Sequence, residues 1–296
     1  MYYDFKNCTL CPRACEADRT AGYGLCGCKS EVRIAKVMEH FWEEPCLATG
    51  GKPSGAVFFS GCNLKCVYCQ NFEISHECKG YDIPVEKLAE IFKGLEKRGA
   101  ANIDLVTPTH FTPQIDEAFK IAGKPGIPVV YNTSGYETEE NIVRAKGFSD
   151  IYLCDLRYLD GRTAKKYSGA EDYPEHAQKS LERAVSLFGK PEFSGEQMKS
   201  GVVVRVLVLP RRVIEAKMII SYLAEMYGED VIISVMGQYT PIRSDLPDGL
   251  LGRLSEAEYE SVIDFAAGKK IKAYMQEMGC ADEYFIPDWS DPGFEI

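Results

Sequence analysis

Cys62, Cys66 and Cys69 fall within one short stretch, GCNLKCVYC, in the pattern Cys-x3-Cys-x2-Cys. That spacing brings three sulfurs into one tight loop, close enough to ligate one metal centre together. A zinc site that only builds structure closes with four ligands, so a triplet leaves a position for chemistry. A four-iron cluster on three thiolates would likewise keep one iron free to bind something else. Three buried cysteines with no metal are the plain alternative, and so dense a triplet beside Gly61 and Asn63 speaks against it.

A second group lies earlier, in CTLCPRACEADRTAGYGLCGC. Cys8, Cys11, Cys15 and Cys26 form Cys-x2-Cys-x3-Cys-x10-Cys, with Cys28 able to replace Cys26. This is four-ligand spacing, suited to a closed site that either zinc or a second iron–sulfur cluster would satisfy. Residues 1–50 hold little that would build an independent core, which favours a metal there. The isolated Cys46, Cys78, Cys154 and Cys280 read as structural.

The composition permits such sites. The chain has 296 residues, 45% apolar and 26% charged, as an ordinary globular protein has. A net charge of −10 argues against nucleic acid, whose binding rests on clustered Lys and Arg. No apolar stretch is long enough to span a bilayer, and the first residues lack the pattern of a signal peptide, so a cytoplasmic location is expected. Twelve cysteines in a reducing compartment are better read as ligands and thiols than as disulfides.

Elements must place these residues. VEKLAEIFKGLEKRG (85–99) sets Val85, Leu88, Ile91 and Leu95 on one helical face. Apolar strand segments recur at 55–61, 102–108, 127–135, 150–158, 201–210 and 230–239, separated by helical patterns. Strands alternating with helices imply parallel pairing, and six such units predict an incomplete (β/α)6 barrel over residues 51–296, preceded by a cysteine-rich region over 1–50. A flat doubly wound sheet is the alternative. SEAEYESVIDFAAGKKIKAYMQEMG (255–279) opens with the capping-box pair Ser255 and Glu258 and reads as a last helix, and the tail from 284 is apolar enough to dock. HFWEEPC (40–46) reads as a connecting segment anchored by Trp42.

In such folds function gathers at the carboxyl ends of the strands. Unusual residues sit there: the triplet after the first strand, Thr107, Thr109 and His110 after the second, and Asn132, Thr133, Ser134 and Gly135 after the third. Asp155 and Arg157 follow on the fourth, Arg205 on the fifth, and Gln238 and Tyr239 on the sixth.

CNLKCVYC, with an aromatic before its last cysteine, resembles the signature of radical S-adenosylmethionine (SAM) enzymes. The order FFSGCNLKCVYCQNFEIS, VTPTHF, YNTSGYE, YLCDLRY, VRVLVLP and SVMGQY resembles more narrowly the pyruvate formate-lyase activating enzyme homologues. The resemblance implies that Cys62, Cys66 and Cys69 hold a [4Fe–4S] cluster whose free iron chelates SAM. It also implies a reductant such as flavodoxin or ferredoxin and reductive cleavage to a 5′-deoxyadenosyl radical. Tyr68 would pack against the cofactor or shield the cluster. Thr107 and Thr109 stand where the family often has a Gly-Gly-Glu stretch contacting the methionyl amine. Asn132 and Ser134 would meet the ribose hydroxyls or the carboxylate. Asp155 and Arg157 occupy an Asp-x-Lys position, Arg205 matches an Arg that meets the cofactor carboxylate, and Gln238 completes the cofactor set.

Three functions stay open on these residues. One is an activating enzyme that takes the α-hydrogen of a glycine in a partner protein. Another is a radical enzyme acting on a small molecule or a different peptide, and the third a non-catalytic iron–sulfur or zinc protein.

Overall fold

The computed structural model describes residues 3–276 and 287–295. Its strands are β1 (Val32–His40), β2 (Ser54–Phe59), β3 (Tyr81–Ile83), β4 (Asn102–Val106), β5 (Val129–Thr133), β6 (Ile151–Asp155), β7 (Glu192–Ser194), β8 (Gln197–Leu207), β9 (Ile232–Met236) and β10 (Lys272–Met275). The helices are α1 (Phe72–Ser75), α2 (Val85–Lys97), α3 (Thr112–Ala122), α4 (Glu139–Lys146), α5 (Gly161–Ser168), α6 (Tyr173–Phe188), α7 (Val213–Met226) and α8 (Glu256–Ala267).

The sheet runs β10-β9-β8-β6-β5-β4-β2-β1-β3, with β7 paired to β8. From β2 through β9 and on to β10 every pairing is parallel. The six expected strands are all present and stand in sequential order, so right-handed crossovers carry the helices along one face and the sheet curls. A doubly wound sheet would reverse direction at a switch point, and this one does not. Among the described residues no pairing joins β10 to β3, and the barrel is open.

The central parallel strands β4, β5, β6 and β9 are buried along nearly their whole length, which is why these segments are rich in Val, Ile and Leu rather than alternating. On α2 the buried side chains are Leu88, Ala89, Ile91, Phe92 and Leu95, three of the four that the periodicity picks out plus Ala89 and Phe92, with Val85 half-buried.

Two elements differ from expectation. Val32–His40, in the N-terminal cysteine-rich region, is a nine-residue strand antiparallel to β2, so this part of residues 1–50 belongs to the main sheet. The last helix keeps its capping box at Ser255 and Glu258 but ends at Ala267. Lys272–Met275, expected within it, pairs with β9 instead, because an open sheet edge satisfies a strand's backbone groups where a helix would leave that edge bare. Cys280 and the start of the tail lie outside the described residues. The described tail does dock: Lys36 Nζ donates to the carbonyls of Asp288 (2.9 Å) and Asp291 (2.7 Å), and Trp289 packs on Phe58.

Before β1 the chain is turns and irregular backbone, held by two arginines. Arg19 is fully buried and donates to the carbonyls of His110 (2.8 Å), Lys29 (2.6 Å) and Cys28 (3.3 Å), its guanidinium facing the rings of Phe5 and Phe111. Arg13 donates to Asn63, inside the cysteine loop, and to Gly169 and Ser168. These bonds tie the N-terminal region to the barrel. Replacing Arg19 by Met would strand the buried carbonyls of Cys28 and His110 at once and remove the bond to Lys29. Arg19→Met should lower unfolding free energy by about 2–4 kcal/mol, read from the denaturant midpoint, and a midpoint within error of wild type would refute this role.

Candidate active site at the carboxyl ends of the strands

The cysteine loop leaves β2 through Gly61, whose φ of +79° is reached without strain only by glycine. A Cβ there would also stand 2.5 Å from Cys28 Sγ and 2.6 Å from the Cys26 carbonyl. Backbone bonds then pin the loop: Gly61 N–H to Ile74 O, Cys62 N–H to Cys26 O (3.1 Å), Lys65 N–H to Ser168 O and Val67 N–H to Tyr167 O (2.9 Å).

All three sulfurs border one cavity of about 200 Å³ and each has a hydrogen-bond partner. Leu64 N–H donates to Cys62 Sγ (3.4 Å), Ser75 Oγ to Cys69 Sγ (3.3 Å), and Ser168 Oγ lies 2.9 Å from Cys66 Sγ. Burial, then the neighbouring thiols of Cys66 and Cys69, push the Cys62 thiol up to about 12, and burial raises Cys69 as well. Among the described residues no three His, Cys, Asp or Glu side chains surround a single metal ion. The ligands of a four-iron cluster bind different irons and need not meet at one point. A buried thiol triplet beside an open cavity, short of a fourth protein ligand, suits such a cluster.

The other wall of the cavity carries most of the expected residues: Tyr68, Thr107, Asn132, Ser134, Asp155, Arg157, Arg205 and Gln238. Asp155 and Arg157 form an ion pair of 2.5 Å, and Arg157 Nη1 reaches Tyr68 OH at 3.5 Å. Tyr68 OH lies 2.6 Å from Tyr158 OH, which lies 2.8 Å from Ser168 Oγ. A continuous hydrogen-bond chain therefore links Cys66 to Asp155. Arg157 Nε and Ser134 Oγ are buried with no partner in the protein, as free polar atoms awaiting a polar ligand would be. Thr107 sits at φ +61°, a costly conformation for a β-branched residue, with its N–H on Asn132 O.

Thr109 is a correction. A turn of 3-10 helix over Thr109–Phe111 swings it inward, where its hydroxyl donates to Glu137 Oε1 at 2.6 Å. Glu137 also accepts from Thr133, Tyr131 and Asn141, a buried hub with no motif to announce it.

Arg205 is the second correction. It borders the cavity, yet its guanidinium is occupied: Nε and Nη2 donate to Glu44 at 2.6 and 2.7 Å, Nη2 also meets Glu43, and Nη1 reaches Asn132 Oδ1 at 3.3 Å. HFWEEPC, expected as a connector rather than as a lining of the junction between the two metal regions, turns into the barrel and supplies two buried carboxylates. They wall a second chamber of about 600 Å³ that shares Asn71, Val106, Asn132, Arg205, Met236 and Gln238 with the first cavity.

Of the N-terminal thiols, Cys8, Cys11 and Cys26 lie near one another, and the thiolates of Cys26 and Cys8 help burial raise the Cys11 thiol. The thiols of Cys26, Cys28 and Cys78 also lie against one another behind Gly61, so Cys78 is not isolated. Hydrogen bonds from Cys28 hold Cys26 and Cys78 low, at about 4 and 6, and drive Cys28 itself upward.

An open parallel α/β barrel with a thiol triplet at the carboxyl end of its first parallel strand defines the class of protein. The chain matches the model of the radical SAM superfamily over residues 56–210, more than half its length, and belongs to that superfamily. The family implies a [4Fe–4S] cluster and SAM. An uncharacterized protein of Methanocaldococcus jannaschii is 29% identical over 275 residues, covering 88% of this chain and 75% of that protein. Among solved structures, Streptococcus suis SuiB bound to precursor peptide SuiA matches with a TM-score of 0.50 and 11% identity over 73% of this chain and 46% of its own. HydG, a maturase of the [FeFe]-hydrogenase, matches with a TM-score of 0.51 and 16% identity over 72% and 48%. The chain spans about half the length of these two solved structures, and the likeness to them is one of fold. No described helix is long and apolar enough to cross a membrane.

Burial, opposed by Arg205, raises the Glu43 carboxyl to about 7. The folded chain therefore binds this proton more tightly than the unfolded chain, and the contribution of Glu43 to stability falls as pH rises from the ordinary carboxylate range through about 7. The melting temperature of Glu43→Gln should accordingly climb relative to wild type between about pH 5 and 8. A relative fall over that range would contradict the assignment.

Proposed function

We propose that this protein is a radical SAM enzyme in which Cys62, Cys66 and Cys69 hold the [4Fe–4S] cluster. The observation that carries the reading is that the thiol triplet, the unpartnered Ser134 Oγ and Arg157 Nε, and the Asp155–Arg157 pair all face one cavity at the carboxyl ends of the parallel strands. When bound, the cluster supplies one electron to the sulfonium of SAM, giving methionine and a 5′-deoxyadenosyl radical that takes a hydrogen atom from the substrate.

The protein's own groups bind and orient. Ser134 Oγ and Arg157 Nε offer hydrogen bonds to polar groups of SAM, and Asn132 presents its amide beside them. Asp155 fixes the Arg157 fork while Tyr68 and Tyr158 carry the hydrogen-bond chain back to Cys66 through Ser168. Tyr68, with Tyr167 and Tyr239 at its edges, screens the thiols from bulk water. Residues 1–50 brace the cysteine loop, and residues 51–296 form the catalytic unit. The finer reading, a glycyl-radical activating enzyme served by a flavodoxin or ferredoxin in the cytoplasm, rests on the order of the motifs. Under it the open side of the barrel would receive a partner polypeptide.

Anaerobically reconstituted protein with dithionite should consume SAM and release 5′-deoxyadenosine, and Cys66→Ala should abolish this with the fold intact. Cleavage at the normal rate by that variant would overturn the cluster assignment.

Asp155→Ala should slow cleavage or weaken SAM binding by at least about tenfold, roughly 1.4 kcal/mol, with iron content retained. Arg157→Lys should fail as well, because one ammonium cannot serve Asp155, Tyr68 and the cavity together. Wild-type rates in both variants would reduce the pair to a structural role.

A further inference from the structure

We propose that the N-terminal region holds a second metal centre, a four-iron cluster on the thiolates of Cys8, Cys11, Cys15 and Cys26, with the buried guanidinium of Arg19 as its counter-charge. The inference stands apart from the radical SAM reading, which concerns the triplet of Cys62, Cys66 and Cys69.

Arg19 points to an anion beside it. Its side chain is fully buried, and its polar partners are the carbonyls of His110, Lys29 and Cys28 together with Cys8 Sγ, to which Nη1 donates at 3.7 Å. Among the described residues no carboxylate pairs with it. A buried guanidinium without a counter-ion is costly, and the protein's other lumenal arginine, Arg205, is matched by Glu43 and Glu44. The anions within reach of Arg19 are thiolates. Cys26 Sγ lies against the arginine's stem, since a Cβ on Gly24 would stand 3.3 Å from that sulfur and 3.4 Å from Arg19 Cδ. Cys11 is within electrostatic reach of both Cys8 and Cys26.

The backbone gathers the fourth cysteine. Ala14 N–H donates to Cys11 O (2.9 Å) and Glu16 N–H to Cys8 O (3.0 Å), so Cys15 stands between two residues bonded to the other two. Ala14 and Glu16 take φ values of +37° and +53° to do this, a conformation unfavourable for residues other than glycine. Cys26 rides on a turn that Gly27 N–H closes on Gly24 O (2.9 Å). Cys28, able to replace Cys26 on spacing alone, has its Sγ on Ser60 O at 3.1 Å, which leaves Cys26 as the ligand on the Arg19 side.

Thiolates suit zinc and iron alike. No three of these side chains surround one ion among the described residues, and a cluster, whose thiolates each bind a different iron, suits sulfurs spread in this way. Such a centre would lie one hydrogen bond behind the radical loop, because Cys26 O accepts from Cys62 N–H at 3.1 Å. It would hold the turn that carries Cys26, and with it the backbone of Cys62.

The test uses the full chain carrying Cys62→Ala, Cys66→Ala and Cys69→Ala, which cannot hold the radical cluster, reconstituted anaerobically with iron and sulfide. Elemental analysis should find about four iron and about four sulfide per chain, with the Mössbauer spectrum of a [4Fe–4S] cluster. Adding Cys11→Ala and Cys15→Ala should remove at least about nine-tenths of that iron, whereas adding Cys28→Ala and Cys78→Ala should retain it. Arg19→Met, losing the buried positive charge, should lower the reduction potential of this cluster, and Arg19→Lys should lower it less. Thermal melts report which variants are native. Less than one iron per chain in the native triple variant, one zinc in place of the iron, or iron that survives loss of Cys11 and Cys15 overturns the cluster. An unchanged potential in natively folded Arg19→Met overturns the counter-charge. Where the triple variant does not fold, wild type decides: its iron should fall from about eight to about four per chain on Cys11→Ala with Cys15→Ala, and an unchanged count overturns the proposal.

Discussion

A guanidinium inside a barrel of apolar strands has to bring its counter-charges with it. Arg205 projects from β8 into the lumen, and the cost of burying it there is met only by close, well-oriented carboxylates. Glu43 and Glu44 provide them from more than a hundred residues earlier in the chain. To do so the chain beyond β1 must turn under the sheet, and this places Cys46 and Leu47 against Val130, Leu153, Met198 and Val203. The same ion pair divides the lumen into a thiol cavity and a carboxyl-lined chamber. It also occupies the donors of Arg205, whereas Arg157 Nε and Ser134 Oγ have no partner in the protein.

A second dependence runs through the N-terminal region. The cysteine loop is held from behind by the Cys26 carbonyl and from the side by Arg13 on Asn63, while Arg19 anchors that region to the carbonyl of His110. His110 in turn reaches Ser60 O, at the root of the loop, at 2.7 Å. These contacts fix the loop's backbone. Preorganisation of this kind is what a site needs if its ligands are to hold a cluster in one geometry. The packed thiols of Cys26, Cys28 and Cys78 lie within this brace, which makes them part of the support behind the triplet.

What was legible in the sequence follows from the range of the interactions concerned. The six parallel strands could be read because burial on both faces demands runs such as VVVRVLV, a local property. The strand ends could be located for the same reason, and eight of the nine residues named as cofactor contacts line the cavity, Arg205 among them with its guanidinium occupied. Thr109 failed because the left-handed step at Thr107 and the short turn after it rotate the chain in a way that strand alternation does not encode. β1 and β10 were missed because each lies outside the βα alternation and is defined by the strand it pairs with, and β10 follows directly on a lysine-rich, helix-like stretch. Glu43, Glu44, Glu137 and Cys78 were invisible as site or cluster members since each acquires its role from partners that only the folded chain brings near.

The hydrogen-bond chain from Cys66 to Asp155 links these levels. Each sulfur of the triplet has its own partner, a backbone N–H for Cys62 and serine hydroxyls for Cys66 and Cys69. Donors to cluster sulfurs are one of the means by which a protein sets a cluster's potential. Through Ser168, Tyr158 and Tyr68, the Cys66 contact is coupled to the orientation of Arg157, whose free Nε faces the space a cofactor would fill. A ligand that engages Arg157 would therefore shift the hydrogen bond at Cys66. Cofactor contact and cluster environment would then respond together, through this chain of hydrogen bonds.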